Sequence, residues 1–245
     1  TITQTQASSS YVIFPLTGYA NPALMDLVKN FNFTLGGDAV IFNYKYKGTQ
    51  VGSVETSAKA HKTYYTPFGQ LYWRANPKLV LGIDVSDPIS SLIDFKAGNQ
   101  AGLRDILDAT SYSPKISYQV HDRLTLGAGV DLIHLRKAYL DLPGIAGDVL
   151  KTETKSFKPT FNVGFLFKLK PTTLISGSFH KGVNLGAKGS SEHGVNKATN
   201  TKLNGPIIPD MYTLNLTQIF SREWLVSLYG RFLKWNKVKT LTISN

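Results

Sequence analysis

The feature that most constrains this chain is a hydrophobic alternation of period two that recurs along almost its whole length. Phe31, Phe33, Leu35, Ala39 and Ile41 fall on one parity, with Asn32, Thr34, Gly36 and Asp38 on the other. Leu124, Leu126, Ala128, Val130 and Leu132 alternate with Thr125, Gly127, Gly129 and Asp131. The pattern returns in Phe161–Leu169, Tyr212–Leu216 and Trp224–Phe232, and more weakly in 64–74, 78–88, 115–120 and 173–181. Side chains of a strand point alternately to its two faces, so each segment reads as a strand with one apolar face. About nine strands result, many near the ~10 residues of a tilted membrane strand. The best continuous apolar stretch, 79–83, is far shorter than the ~18 residues that argue for a membrane-spanning helix. The fold class expected is therefore all-β.

The connections alternate too. Four are tight, at 75–77, 121–123, 170–172 and 221–223, and between them lie long polar stretches at about 46–62, 91–113, 136–157 and 183–210. Short turns at one end and long loops at the other are the pattern of an outer-membrane antiparallel β-barrel. In the second long stretch Leu103–Leu107 suggests a short helix. Aromatic residues are abundant (13 Phe, 12 Tyr, 3 Trp) and gather near strand ends (Tyr64, Tyr65, Phe68, Tyr72, Trp73, Trp224, Trp235), where interfacial girdles would lie. Composition removes several alternatives. With no Cys, disulfide scaffolds, Cys-ligated zinc and thiol nucleophiles are excluded. The five His are scattered without metal-ligand spacing, and no nucleophile elbow or phosphate-binding loop occurs, so no enzyme, metal or cofactor is expected. The net charge of +11 reads as Lys-rich solvated loops rather than a nucleic-acid surface.

The order of several short motifs resembles the FadL family of outer-membrane transporters for long-chain fatty acids and other hydrophobic compounds. Asn21-Pro22-Ala23-Leu24-Met25 is similar to the family's NPA motif, and Pro67-Phe68-Gly69, Leu81-Gly82-Ile83-Asp84 and Leu126-Gly127-Ala128-Gly129 follow in order. Phe161-Asn162-Val163-Gly164-Phe165-Leu166 and Ile208-Pro209-Asp210-Met211-Tyr212 extend the match. The resemblance implies a transmembrane barrel, fourteen-stranded in the family, with an N-terminal plug. Residues 1–28 would be the plug, and 29–245 a barrel portion of about nine strands that is incomplete at its C-terminal end.

The function implied is passive passage of fatty acids or other hydrophobic small molecules across the outer membrane of a Gram-negative bacterium, through an apolar pocket and a lateral opening in the wall. Asn21, Pro22 and Ala23 would carry the plug turn. Pro88, which cannot donate a ladder hydrogen bond, ends an otherwise regular strand, and Asp87, Pro88, Ile89 and Ser90 would line the opening. Val12, Ile13 and Phe14, with the loop residues Leu140, Leu142, Ile145 and Val149, would give the apolar lining, and Arg136, Lys137 or inward-facing Arg231 would meet a carboxylate. Expected partners are the hydrophobic ligand, outer-membrane lipid and lipopolysaccharide, with no nucleic acid and a monomeric state. The alternative is a non-transporting surface barrel serving as adhesin or receptor, and a soluble secreted β-sheet binding module is a third reading.

Overall fold

The computed structural model describes residues 21–50, 54–88, 90–94, 104–143, 149–193, 196–204, 207–221, 224–234 and 242–244. A 3-10 helix, Pro22–Leu27, precedes the strands. These are β1 (Phe31–Gln50), β2 (Val54–Asn76), β3 (Leu79–Ser86), β4 (Ser90–Asp94), β5 (Arg104–His121), β6 (Leu124–Pro143), β7 (Val149–Lys170) and β8 (Thr173–His180). They continue as β9 (Val183–Asn184), β10 (Ala187–His193), β11 (Asn196–Asn204), β12 (Ile207–Ile208), β13 (Asp210–Ile219), β14 (Leu225–Lys234) and β15 (Thr242–Ser244). No helix is long and apolar enough to cross a membrane.

Every pairing is antiparallel, and the wall runs β1-β2-β3-β5-β6-β7-β8-β13-β14. At the upper end of β7 the neighbour is instead β10, and the sheet continues from it to β11 and β15. Tight turns at Pro77–Lys78, Asp122–Arg123 and Pro171–Thr172 join neighbouring strands at one end, the end where β13 and β14 also succeed each other.

The two faces of this wall reverse the usual arrangement of a soluble protein. Phe31, Phe33, Leu126, Val130, Phe161, Val163, Leu214 and Leu228 point outward and are exposed, Leu214 at 59% and Leu228 at 73%. The alternate residues are covered and polar: Ser111, Ser113, Lys115 and Ser117 on β5, Thr125 and Asp131 on β6, Asn162 on β7, Ser176, Ser178 and His180 on β8. A sheet with a continuous apolar exterior and a hydrogen-bonded polar interior has its hydrophobic driving force satisfied by lipid, not by a core. The inner charges are paired as burial requires: Lys115 Nζ bonds Asp84, which also accepts from Tyr72, while Asp131 accepts from Ser113 and Asn162 and meets His180 at 3.2 Å.

Two expectations need correction. The long polar stretches are not mainly loop. The β1–β2 ladder runs unbroken from Phe31↔Trp73 to Gln50↔Val54, β6–β7 pairing reaches Pro143↔Val149, and β10–β11 occupies most of 187–204. These ladders exceed the ~9–11 residues needed to span the bilayer. Beyond the lipid both faces meet water, so a strand needs no apolar parity and leaves no alternation to read. Nor do Arg104–Leu107 form a helix. They begin β5 and are paired on both sides, to Ser91–Asp94 of β4 and Ala138–Asp141 of β6, and that double ladder overrides their helical spacing. Leu103 lies outside the described residues.

Candidate functional site

Three features converge inside the wall. The lowest is the 3-10 helix. Asn21 is extended (φ −153°) and its Oδ1 accepts from Ala23 N at 2.9 Å, a side-chain cap for a helix that starts on Pro22. Asn21 Nδ2 donates 3.0 Å to the Phe165 carbonyl, tying the turn to β7, and Ser117 Oγ of β5 donates to the Ala23 carbonyl at 3.4 Å. Leu24 packs with Leu166 and Leu174, and Met25 packs with Tyr72 and Val80. Full burial of such side chains is worth about 1.5–3 kcal/mol each as an upper bound.

The turn reaches the wall because glycines face it. A Cβ on Gly127 would stand 2.4 Å from Ala23 N, and one on Gly164 2.1 Å from Asn21 Oδ1. Both fall in motifs singled out from sequence, and their role is close approach of the turn to the backbone. At the other end of the turn Asp26 gathers the charges: Lys168 Nζ at 2.7 Å, Thr125 Oγ1 at 3.0 Å and Arg74 at 3.2 Å. Arg74 also donates to the Val28 carbonyl at 2.9 Å. Burial raises the Asp26 carboxyl, but the Lys168 hydrogen bond and charge, with Thr125 and Arg74, outweigh it and hold the group below the ordinary carboxylate value. Nothing in the sequence marks this anchor, because Asp26, Arg74, Thr125 and Lys168 are scattered along the chain.

The second feature is a break in the wall. Strand β3 pairs with β2 only as far as Gly69↔Val85 and with β5 as far as Ser86↔Ser111. Asp87 and Pro88 leave the ladder, and pairing resumes with β4 at Ser90↔Asp108, on the β5 side. Between Ser86↔Ser111 and Ser90↔Asp108 the β5 residues left opposite the break are Ala109 and Thr110, and Pro88 supplies no donor there. Among the described residues β2 has no ladder partner on this side above Gly69, where it faces β4. Ser86 Oγ is buried there without a hydrogen-bond partner.

Level with the break lies the third feature, an inner apolar cluster in an otherwise polar interior. Ala109, on β5 opposite the break, packs with Ile133, Leu135, Ala138, Leu185 and Ala187, and Val183 and Ile208 adjoin them. Leu185 gets there because 181–186 and 207–208 bow inward together and pair as β9–β12. The bow is fastened to the inner side chains of β7: Thr160 Oγ1 donates to the Lys181 carbonyl and Ser156 Oγ to that of Leu185. Asp210 takes Lys181 Nζ at 3.1 Å and Gly182 N at 2.8 Å.

The sequence-derived site residues distribute as follows. Asn21, Pro22 and Ala23 form the inner turn, and Asp87 and Pro88 the break, with Ser90 opening β4. Val12, Ile13, Phe14, Ile89 and Ile145 lie outside the described residues. Leu140 and Leu142 are in β6, paired to Thr152 and Leu150, and Val149 begins β7, so these residues are not in a loop as expected. Lys137 pairs with Asp108 in β6, and Arg136 is the bulged residue beside it, ion-paired to the Asp108 carboxylate. Arg231 is half-buried on β14, 6.0 Å over the Tyr229 ring.

The chain thus combines a barrel wall of reversed polarity, a glycine-seated inner turn and a proline break. A model for the outer membrane protein transport protein family (OMPP1/FadL/TodX) matches residues 16–244. The chain belongs to that family. Its members are outer-membrane β-barrel transport proteins, which places this chain in the outer membrane of a Gram-negative bacterium.

Among solved structures, the chain is similar to a Pseudomonas aeruginosa FadL homologue, with 15% identity and a TM-score of 0.73 over 91% of this chain and 65% of that one. It is similar also to the Ralstonia pickettii toluene transporter TbuX, with 16% identity and a TM-score of 0.74 over 94% and 70%. The Pseudomonas putida toluene transporter TodX gives 16% identity and a TM-score of 0.71 over 94% and 68%. At such identities the likeness concerns the fold, and the chain spans about two thirds of the length of these proteins. No curated protein matches the sequence.

Proposed function

We propose that this family member conducts hydrophobic small molecules passively through the outer membrane and releases them sideways through its wall at Asp87, Pro88, Ile89 and Ser90. The observation that carries the proposal is that the ladder breaks at Asp87 and Pro88, opposite the stretch of β5 that holds Ala109 of the inner apolar cluster. A hydrophobic solute at that level has two ways on. Downward lie the Asp84–Lys115 and Asp131–His180 pairs and the seated inner turn, where it would displace paired charges. Sideways, past a wall segment with few ladder bonds, lies hydrocarbon.

In this reading Asn21, Pro22 and Ala23 act as the plug turn that closes the polar lower lumen. Val12, Ile13 and Phe14 would line the ligand's path with Leu140, Leu142, Ile145 and Val149, and Arg136, Lys137 or Arg231 would receive a carboxylate. The substrate class rests on chemistry plus the fold neighbours, which include proteins described as toluene transporters and a monoaromatic hydrocarbon channel. No cofactor is involved, since the gradient and apolar burial drive the movement.

The test is uptake of a labelled long-chain fatty acid, and separately of toluene, by cells lacking their own transporter. They would express the full-length parent or a version with residues 87–90 rebuilt as regular paired strand. Uptake by the parent and not by the rebuilt protein, both folded in the outer membrane, is the expected result. Equal uptake by both removes the lateral exit, and uptake of neither solute by either protein removes hydrophobic transport.

A further inference from the structure

The outer face carries a hollow that transport through the lumen does not use. A groove of about 720 Å³ crosses β5, β6, β7, β8 and β13 on the lipid side of the wall, within the ~300–1,000 Å³ range of small-molecule sites. It lies along two rows of outward side chains in register. One row is Ile116, Ala128, Val163 and Phe179, and the row nearer the turns is Tyr118, Leu126, Phe165 and Gly177. The hollow exists because each row contains one outward position with almost no side chain, Ala128 and Gly177, beside aromatic neighbours. The Phe165 ring leans over Gly177 so closely that a Cβ there would stand 2.7 Å from it.

Below the groove two tight turns come side by side: Lys168 N donates 2.8 Å to the Arg123 carbonyl. This brings exposed Arg123 and Lys170 to the rim beneath the groove, together with His121 and one acidic residue, Asp122. With ~3.3 Å per residue and a tilt of ~45°, the lower row starts about 7 Å above these turns, and the upper row reaches about the middle of a ~25 Å apolar band. The short turns of such barrels are periplasmic. The groove therefore faces the periplasmic leaflet, which in outer membranes is built of phospholipid, while lipopolysaccharide forms the opposite one.

We propose that this face is a phospholipid-binding site, with the lipid phosphate at Arg123 and Lys170 and one acyl chain laid in the groove past Phe165 and Gly177. The occupant follows from the surroundings. Water is excluded at this depth, no side chain among the described residues fills the hollow, and the cations stand at its headgroup end. Gly127 and Gly164 separate the groove from the inner turn by a single backbone layer, since their inward sides meet Ala23 and Asn21. The site does not depend on what the lumen conducts.

The test is native mass spectrometry of the full-length folded parent with palmitoyl-oleoyl phosphatidylethanolamine and phosphatidylglycerol, and separately with hexa-acylated lipid A. One phospholipid per barrel should survive activation that strips the rest, and lipid A should not replace it. Arg123→Glu with Lys170→Glu should weaken phospholipid binding about thirtyfold or more, as expected for losing two headgroup cations. Ala128→Leu with Gly177→Leu, filling the groove, should weaken it as well, while Lys78→Glu on another turn should not. The heat-modified gel mobility of each variant reports folding, and the charge pair, at exposed positions in or beside the turns, keeps the test decisive if the filled groove fails to fold. Unchanged retention in the charge variant, unchanged retention in a folded groove variant, or equal binding of lipid A overturns the proposal.

Discussion

Asp26 carries the inner turn's attachment through one carboxylate shared by Lys168, Arg74 and Thr125. With its folded value held below the ordinary one, it binds fewer protons folded than unfolded near pH 4. Its contribution is complete above about 3.9 and disappears as the pH falls through the lower folded value. A nitroxide at Lys29→Cys, unique because the chain has no Cys, should stay immobilised from pH 7 to about 4 and loosen below that. Asp26→Asn should loosen it already at neutral pH. Gly127→Ala makes a different demand: its Cβ would stand 2.4 Å from a backbone nitrogen, which cannot rotate away. Overpacking of this kind costs about 1–3 kcal/mol, and the same spin label should report an unseated turn at every pH. The sequence marked Gly127, Gly164 and Asn21 as motif members, but gave no hint that they touch. Asp26 went unmarked because its partners are 48 to 142 residues away.

At the scale of elements, the paired inward bow of 181–186 and 207–208 builds an apolar cluster where the sequence pattern placed a long polar loop. Gly186 makes the bend possible, with φ +49°, a conformation costly for any residue with a Cβ. Leu185 is fully buried at the centre. Leu185→Ala should therefore cost about 2–5 kcal/mol of local stability, read as faster hydrogen exchange in 181–187 with the rest of the wall unchanged. Equal exchange before and after would mean that the bow is held by Asp210 and the β7 hydroxyls alone. Periodicity could not reveal this element. Its residues neither alternate nor form a run, and Val183–Asn184 and Ile207–Ile208 pair across an intervening hairpin. The extended hairpins above the membrane were unreadable for the opposite reason, because water on both faces removes the parity that marks a strand.

For the molecule as a whole, the reversed polarity makes lipid the partner of the apolar face. Leu214, outward on β13 and paired on both sides, sits near the middle of the band. Leu214→Arg should destabilise the barrel by about 2–4 kcal/mol, measured as a lower midpoint of denaturant unfolding from phospholipid vesicles. Leu214→Ala should cost much less, since no core is opened. If both cost alike, this face is packed against protein.

The sequence by itself determined the strands that cross the membrane, their turns and their two faces, because a pleated chain must alternate and lipid rewards one parity. It also marked Pro88 as a place where a ladder must fail, since proline has no N–H to give. Which face is the outside, where the inner turn docks, how four distant side chains share one charge and why the groove exists were decided only by tertiary structure. Those features arise where separate strands meet in register, and register across a sheet is not a property of any one segment.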